Sequence, residues 1–511
     1  MNGKSARSKG GITERKVVEM DQRTEHEFLA GATPDLELPS YDRTGLKAGI
    51  VHFGVGGFHR AHQAMTIDRL LSAGLARDWA ICGVGVLPGD RRMKDVMEAQ
   101  DGLYTLLIKH PDGSRDARVI GSIIDYLLAP DDPEAVIERL AHQDTRIASL
   151  TVTEGGYNNH PVTGQFDKTN PQILADLAPD AVPATVFGLV TEALRRRRDR
   201  DLGAFTVMTC DNIQENGRVC HDAFLAFAEL KDPELARWVD AETSFPNSMV
   251  DRITPVTSDE DRAEIKQRYG VEDAWPVVAE PFFQWVLEDH FVKGRPPYEE
   301  AGVQLVDDVE PYELMKLRLL NASHQALAYF GHLAGYTYAH EAAGDPLFAE
   351  FLLAYMRKEA APTLKPVPGI DLGDYMETLI ERFSNPEVRD TIARLAAESS
   401  DRIPKWLVPV IQQNLADGGE IRLSAAVVAS WARYAEGVDE QGNPITVVDR
   451  LAESLKATAA RQHDEPTAFI ENRQLFADLV DDERFVSAYT WALDSLHKDG
   501  ARATLQALVA R

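Results

Sequence analysis

Three cysteines in 511 residues, Cys82, Cys210 and Cys220, are too few and too scattered for a disulfide framework, and no two of them form a CxxC pair. Their scarcity excludes a disulfide-stapled scaffold and a cysteine-rich zinc site, and it suits a reducing cytoplasm. Long apolar runs are missing too; none approaches the ~18 residues needed to span a bilayer. Positive charge is short. Against 81 acidic residues stand 54 lysines and arginines, a net charge of −27 with no long basic stripe. That balance excludes nucleic acid as a partner and disfavours an anionic membrane surface. There is no internal repeat and no low-complexity tract. Residues 1–26 are polar, lack the apolar core of a signal segment, and read as a flexible tail.

What is present is an ordinary globular composition, 44% hydrophobic and 26% charged, in a chain too long for a single core. Between Gly49 and Asn212, short apolar runs at residues 50–53, 80–84, 147–152 and 205–208 alternate with amphipathic stretches. The stretches through Met65, Ile67, Leu70 and Leu71, and through Val136, Ile137 and Leu140, have helical spacing. Strand and helix in alternation predict an α/β fold, with a parallel sheet covered on both faces. After about Val306 the pattern turns helical. Asp345-Pro346 reads as an N-cap and first-turn proline opening a helix over 347–356. Residues 371–383, 423–435, 483–496 and 501–510 continue the helical spacing. The expected organisation is a tail over 1–26, an α/β domain over 27–305 and a mostly α-helical domain over 306–511. A cleft between two such domains is where small-molecule sites usually form.

Two segments carry chemistry. The first predicted strand runs directly into Gly54-Val55-Gly56-Gly57-Phe58-His59-Arg60-Ala61-His62, with a helix expected after it. Glycines placed there let backbone approach a pyrophosphate at a helix N-terminus, although His59 stands where GxGxxG has its third glycine. A tight strand-to-helix turn is the other reading of the same residues. Asp90, after the second strand, is the candidate acidic group for an NAD ribose; Arg91 and Arg92 beside it could instead take a phosphate. His59 and His62 have no cysteine or carboxylate cluster with which to hold zinc, so no metal is expected. The second segment, through Glu313, Lys316, Asn321 and His324, is rich in helix formers. At ~100° per residue, Glu313, His324 and Asn321 fall about 60°, 80° and 140° from Lys316, within one face. A solvated helix face would look similar, but an amine, an amide, an imidazole and a carboxylate among leucines are an odd choice for packing alone.

The glycine block, Cys210-Asp211-Asn212 with Asn216-Gly217, and Lys316 with Asn321 and His324 together resemble the polyol-specific long-chain dehydrogenase/reductase family, in its branch acting on D-mannitol. Thr153-Glu154-Gly155-Gly156-Tyr157, the stretch from Phe245 to Pro255, and Trp275-Pro276-Val277-Val278 fit as well, so the likeness runs from about Leu38 to the C-terminal end. The resemblance implies a Rossmann-type N-terminal domain, a helical C-terminal domain and a metal-independent hydride transfer between NAD and a polyol. It implies Lys316 as the catalytic base, Asn212 and Asn321 as oxyanion donors, and Glu313 as the carboxylate that communicates with the lysine. It assigns His324, Asp251 and Arg394 to the substrate, and Gly54, Val55, Gly56, Gly57, Phe58, His59, Arg60 and Asp90 to the cofactor. Gly89 stands where some relatives carry an acidic residue that helps select NAD. A cytoplasmic monomer is expected. The other readings are a D-arabinitol or D-sorbitol dehydrogenase, a fructuronate or tagaturonate reductase with Arg394, Arg402 or Lys405 on the carboxylate, and a non-catalytic NAD sensor.

Overall fold

The computed structural model describes residues 27–159 and 165–510, so the tail expected over 1–26 lies outside the described residues. The chain forms two compact units, the first running to Val309 apart from Pro111–Gly113, the second from Glu310 onward.

The first unit is built on β1 (Ala48–Phe53), β2 (Ala80–Gly85), β5 (Ile123–Leu128), β6 (Ile147–Leu150) and β7 (Thr206–Thr209). They form one sheet in the order β5-β2-β1-β6-β7, and every neighbouring pair is parallel. Numbered along the chain, these five strands lie 3-2-1-4-5, the Rossmann order, with the winding reversing between β1 and β6. All six residues of β1 are buried, and their alternation divides them between two cores. Ile50 packs with Ile81, Ile147 and Met208 on one face. Val51 and Phe53 pack with Val84, Leu150 and Val207 on the other. The two helical patterns expected between the strands form as Gln63–Ser72 and Pro133–Ala141.

Three features of this unit go beyond the sequence reading. β5 completes the sheet. Beside it, β3 (Tyr104–Lys109), β4 (Arg115–Ile120) and β9 (Val277–Ala279) form a sheet in the order β4-β3-β9. A third sheet, β11-β10-β8, joins β8 (Ser248–Asp251), β10 (Gln284–Glu288) and β11 (Gln304–Val306). β9 and β11 have three residues each, charges interrupt β4, and β3 pairs with β9 from far along the chain, outside any local window.

The second unit is helical, as expected. Asp345 caps Pro346–Tyr355 by accepting from the Leu347 N–H at 2.9 Å, and Asp371 caps Leu372–Phe383 through the Asp374 N–H at 3.0 Å. The expected helix over 423–435 forms as Arg422–Ala435, and its first turn is capped from a distance. The buried Glu359 carboxylate accepts from the Leu423 and Ser424 N–H groups at 2.6 and 2.8 Å. Helices Glu483–Lys498 and Gly500–Val509 follow the predicted spacing. Among the described residues no helix is long and apolar enough to cross a membrane.

The helix expected around Lys316 is present, but not as one α-helix. An α-helical stretch, Glu310–Met315, passes into a π-helical turn, Lys316–Asn321, and returns to α at Ala322–Leu333. The Ala322 N–H donates to the Leu317 carbonyl, five residues back. An α turn would put Asn321 about 140° from Lys316; a turn whose hydrogen bonds span five residues brings groups five apart back onto one side.

Candidate active site

The glycine block forms the turn leaving β1, at the carboxyl edge of the sheet next to the switch point. Gly54 has φ +90°, and an added Cβ would lie 2.1 Å from the Thr151 carbonyl oxygen at the end of β6. Only glycine fits there, so the first glycine closes the turn against the neighbouring strand. Gly56 serves differently. It caps the helix Gly57–Ala61 with ordinary φ and ψ, and a Cβ there would meet nothing nearer than the Gly54 oxygen at 3.9 Å. The space above it is open, which is what the close approach of a pyrophosphate requires.

His59 and Arg60 were expected at the cofactor, and the structure turns both side chains inward. Arg60 is buried, donates to the Gly56 and Trp275 carbonyls, and lies over the Tyr104 ring. Burial lowers its pKa, and its charge serves to tie the turn to the interior. The His59 ring stacks on His52 with centroids 3.4 Å apart. His52 in turn reaches the Gly54 carbonyl at 3.3 Å, the Thr151 hydroxyl at 3.0 Å and the Ser149 hydroxyl at 2.8 Å. Burial pushes the His52 imidazole down to about 3, so it stays neutral and holds the turn at any ordinary pH. Val55 is buried and Phe58 partly so, stacked on His62. These side chains shape the turn and leave Gly56 exposed.

Asp90 stands just beyond β2. One carboxylate oxygen accepts from the Val86 and Leu87 N–H groups at 2.8 and 2.9 Å, which pins the side chain at the end of the strand. The neighbouring arginines are engaged elsewhere. Arg91 forms an ion pair with Asp131, and Arg92 lies 4.5 Å from the Trp275 ring centre.

Asn212 is exposed just past β7, on the same carboxyl edge, and its surroundings are firmly held. Asn216, fully buried, donates to the Asp211 and Ser248 carbonyls at 3.0 and 2.8 Å. The Ser248 N–H donates back to it at 2.9 Å, joining the end of β7 to the start of β8. β8 ends at Asp251, which is buried. Sequence reasoning gave Asp211 no task. Its buried carboxylate accepts from the Val152 and Thr153 N–H groups at 3.1 and 2.8 Å, and from the Tyr157 hydroxyl at 2.8 Å. The only signal in the sequence is an acid at the end of an apolar strand.

In the second unit Glu313, Lys316 and Asn321 are all buried, at 6%, 8% and 5% exposure, which rules out a solvated face. The Asn321 amide nitrogen has no hydrogen-bond partner among the described residues. A buried donor left unused is rare and calls for an explanation. His324 is half-buried with its ring 4.3 Å from that of Phe383. Arg394 is different: 58% exposed on the helix Ile392–Ala396 and ion-paired with Asp390 one turn away, it has the ordinary setting of a surface arginine.

The two units coincide with two family domains. The mannitol dehydrogenase Rossmann domain matches residues 48–300, and the mannitol dehydrogenase C-terminal domain matches residues 308–497. The chain belongs to the mannitol dehydrogenase family. It is 48% identical over 475 residues to a mannitol 2-dehydrogenase of Phaeosphaeria nodorum, covering 92% of this chain and 83% of that one. Among solved structures it resembles Pseudomonas fluorescens mannitol 2-dehydrogenase in ternary complex with NAD and D-mannitol, at 46% identity and TM-score 0.86 over 95% and 99% of the two chains. A D-sorbitol dehydrogenase in substrate-free form is 39% identical at TM-score 0.85, with 93% and 98% covered.

Proposed function

We propose that this member of the family is an NAD-dependent mannitol 2-dehydrogenase interconverting D-mannitol and D-fructose, with Lys316 as general acid and base. The observation that carries the reading is the likeness, along nearly the whole of both chains, to the enzyme captured with NAD and D-mannitol. The local geometry is in keeping with it. NAD, when bound, accepts hydride from the secondary alcohol carbon. The open space at Gly56 suits its pyrophosphate, and Asp90 at the end of β2 suits the adenosine ribose, whose hydroxyls a carboxylate accepts and whose 2′-phosphate it repels.

The residues then divide the proton chemistry. Lys316, as a neutral amine, takes the hydroxyl proton during oxidation; as an ammonium it returns the proton during reduction. Glu313, one turn earlier and also buried, passes the proton onward. Asn212 and the unused amide of Asn321 donate to the reacting oxygen as negative charge grows on it. His324 binds a neighbouring hydroxyl, and Asp251 and Arg394 hold the sugar chain. With a net charge of −27 opposing self-association and three buried cysteines suited to a reducing compartment, the same reading has the enzyme a cytoplasmic monomer.

The test is NADH formation followed by absorbance at alkaline pH with D-mannitol, D-sorbitol, D-arabinitol and no polyol. Fastest turnover on D-mannitol, with D-fructose reduced in reverse, is expected. Because a D-sorbitol dehydrogenase is also a close structural neighbour, D-sorbitol is the polyol that would displace the reading if it reacted faster. Silence on all three would move the assignment to hexuronates, or to a sensor if those too failed.

Two further results are expected of the cofactor site. Gly56→Ala folds with an unchanged Tm, since its Cβ has room, yet raises the Kd for NADH by ~10-fold or more by occupying the pyrophosphate's space. Gly54→Ala, by contrast, lowers Tm. Equal NADH affinity in Gly56→Ala and wild type would remove the glycine turn from the cofactor site. Asp90→Ala narrows the preference for NAD over NADP, measured as the ratio of kcat/KM values; an unaltered ratio would dismiss Asp90 as the selector.

A further inference from the structure

Thr153 is held in a backbone conformation that belongs almost exclusively to glycine. Its φ of 64° and ψ of 169° place it in a region where a Cβ is strained. The chain has a glycine two residues away, at Gly155, but not here. Such strain persists only where surrounding groups over-determine the conformation. The clamp is visible. Both oxygens of the buried Asp211 carboxylate accept hydrogen bonds, one from the Thr153 N–H at 2.8 Å and the other from the Val152 N–H at 3.1 Å. The second oxygen also accepts from the hydroxyl of Tyr157, itself buried, at 2.8 Å, and the Gly156 N–H closes onto the Thr153 carbonyl at 3.0 Å. The threonine side chain is left exposed.

The place matters as much as the strain. Thr153 follows β6, across the switch point from the glycine turn that follows β1. In a doubly wound sheet one half of a dinucleotide lies over the first three strands and the other half over the strands beyond the reversal. Asp90 is at the end of β2, on the adenosine side. β6 is the first strand of the other side, and Asn212 follows β7 next to it.

We infer that Thr153 is a binding residue for the nicotinamide riboside half of the cofactor, held in its strained conformation by Asp211 so that its hydroxyl faces that half. The inference rests on the NAD-dependent reading above. It explains why a threonine occupies a position where glycine would relax the turn. Asp211, which touches neither cofactor nor substrate in this scheme, is a positioning residue.

The experiment compares Thr153→Gly, Thr153→Ala and Thr153→Ser for Tm, for NADH affinity by fluorescence titration, and for ADP affinity by competition. ADP carries the adenosine half alone. Thr153→Gly is expected to raise Tm by about 2 °C through relief of strain. Thr153→Gly and Thr153→Ala should both weaken NADH binding by about 5- to 20-fold while binding ADP as wild type does, and Thr153→Ser should retain NADH affinity within about 2-fold. NADH affinity unchanged in the Ala and Gly variants would overturn the inference and leave the enzyme reading standing. Equal loss in the Ser variant, or parallel loss of ADP affinity, would also overturn it, because the hydroxyl would then have no specific part. Wild-type protein that bound neither NADH nor ADP would remove the NAD-dependent reading itself.

Discussion

Lys316→Ala lowers kcat for D-mannitol oxidation by about 10²- to 10⁴-fold, the usual contribution of a positioned general base. The pH dependence separates this from a packing defect. Oxidation needs the neutral amine, so the wild-type rate falls as pH drops and protonates Lys316. Reduction needs the ammonium, so that rate falls as pH rises. In Lys316→Ala both limbs flatten. Lys316→Met provides a second check: it keeps much of the buried side chain's volume and removes the amine, so activity should be lost in a protein that still folds. A variant with lowered Tm and intact kcat would make Lys316 a packing residue and end its assignment as the base.

Asn321→Ala and Asn212→Ala each lower kcat by about 10²- to 10³-fold, as lost oxyanion donors do. The structure gives Asn321 the sharper form of this prediction. Its amide nitrogen is buried without a partner, so truncation breaks no hydrogen bond and removes an unsatisfied donor from the interior. Tm should therefore hold while turnover falls. Asn321→Asp, similar in shape, converts the donor into an acceptor and should be at least as inactive as the alanine variant. Raised KM with unaltered kcat in both asparagine variants would mean that the amides bind the ground state, and the oxyanion role would be withdrawn.

Local pattern made much of this legible. Strands β1, β2, β6 and β7, the capped helix after Asp345, and the later helices all carry their own periodicity and end signals. β5 and the strands of the two small sheets were missed. In β4, Arg115, Asp116 and Arg118 break the apolar pattern, and β9 is three residues long. Their stability comes from partners far along the chain, and no window contains those partners. In the glycine block the need for a tight turn is local and legible, and Gly54 meets it. The inward course of the His59 and Arg60 side chains is not, because the same residues fit a cofactor loop and the buried hydrogen bonds and ring stack that support it.

By itself, the sequence determined the family, the α/β-then-helical order and the residue types available for chemistry, because motifs and periodicity are local properties of the chain. Only tertiary structure decided which of those groups lose water and what strains them. The π turn that gathers Lys316 and Asn321, the unused amide of Asn321, the inward course of Arg60 and the conformation of Thr153 all depend on what packs around them. Burial and hydrogen-bond satisfaction are set by neighbours distant in sequence, and no reading of spacing along one chain contains them.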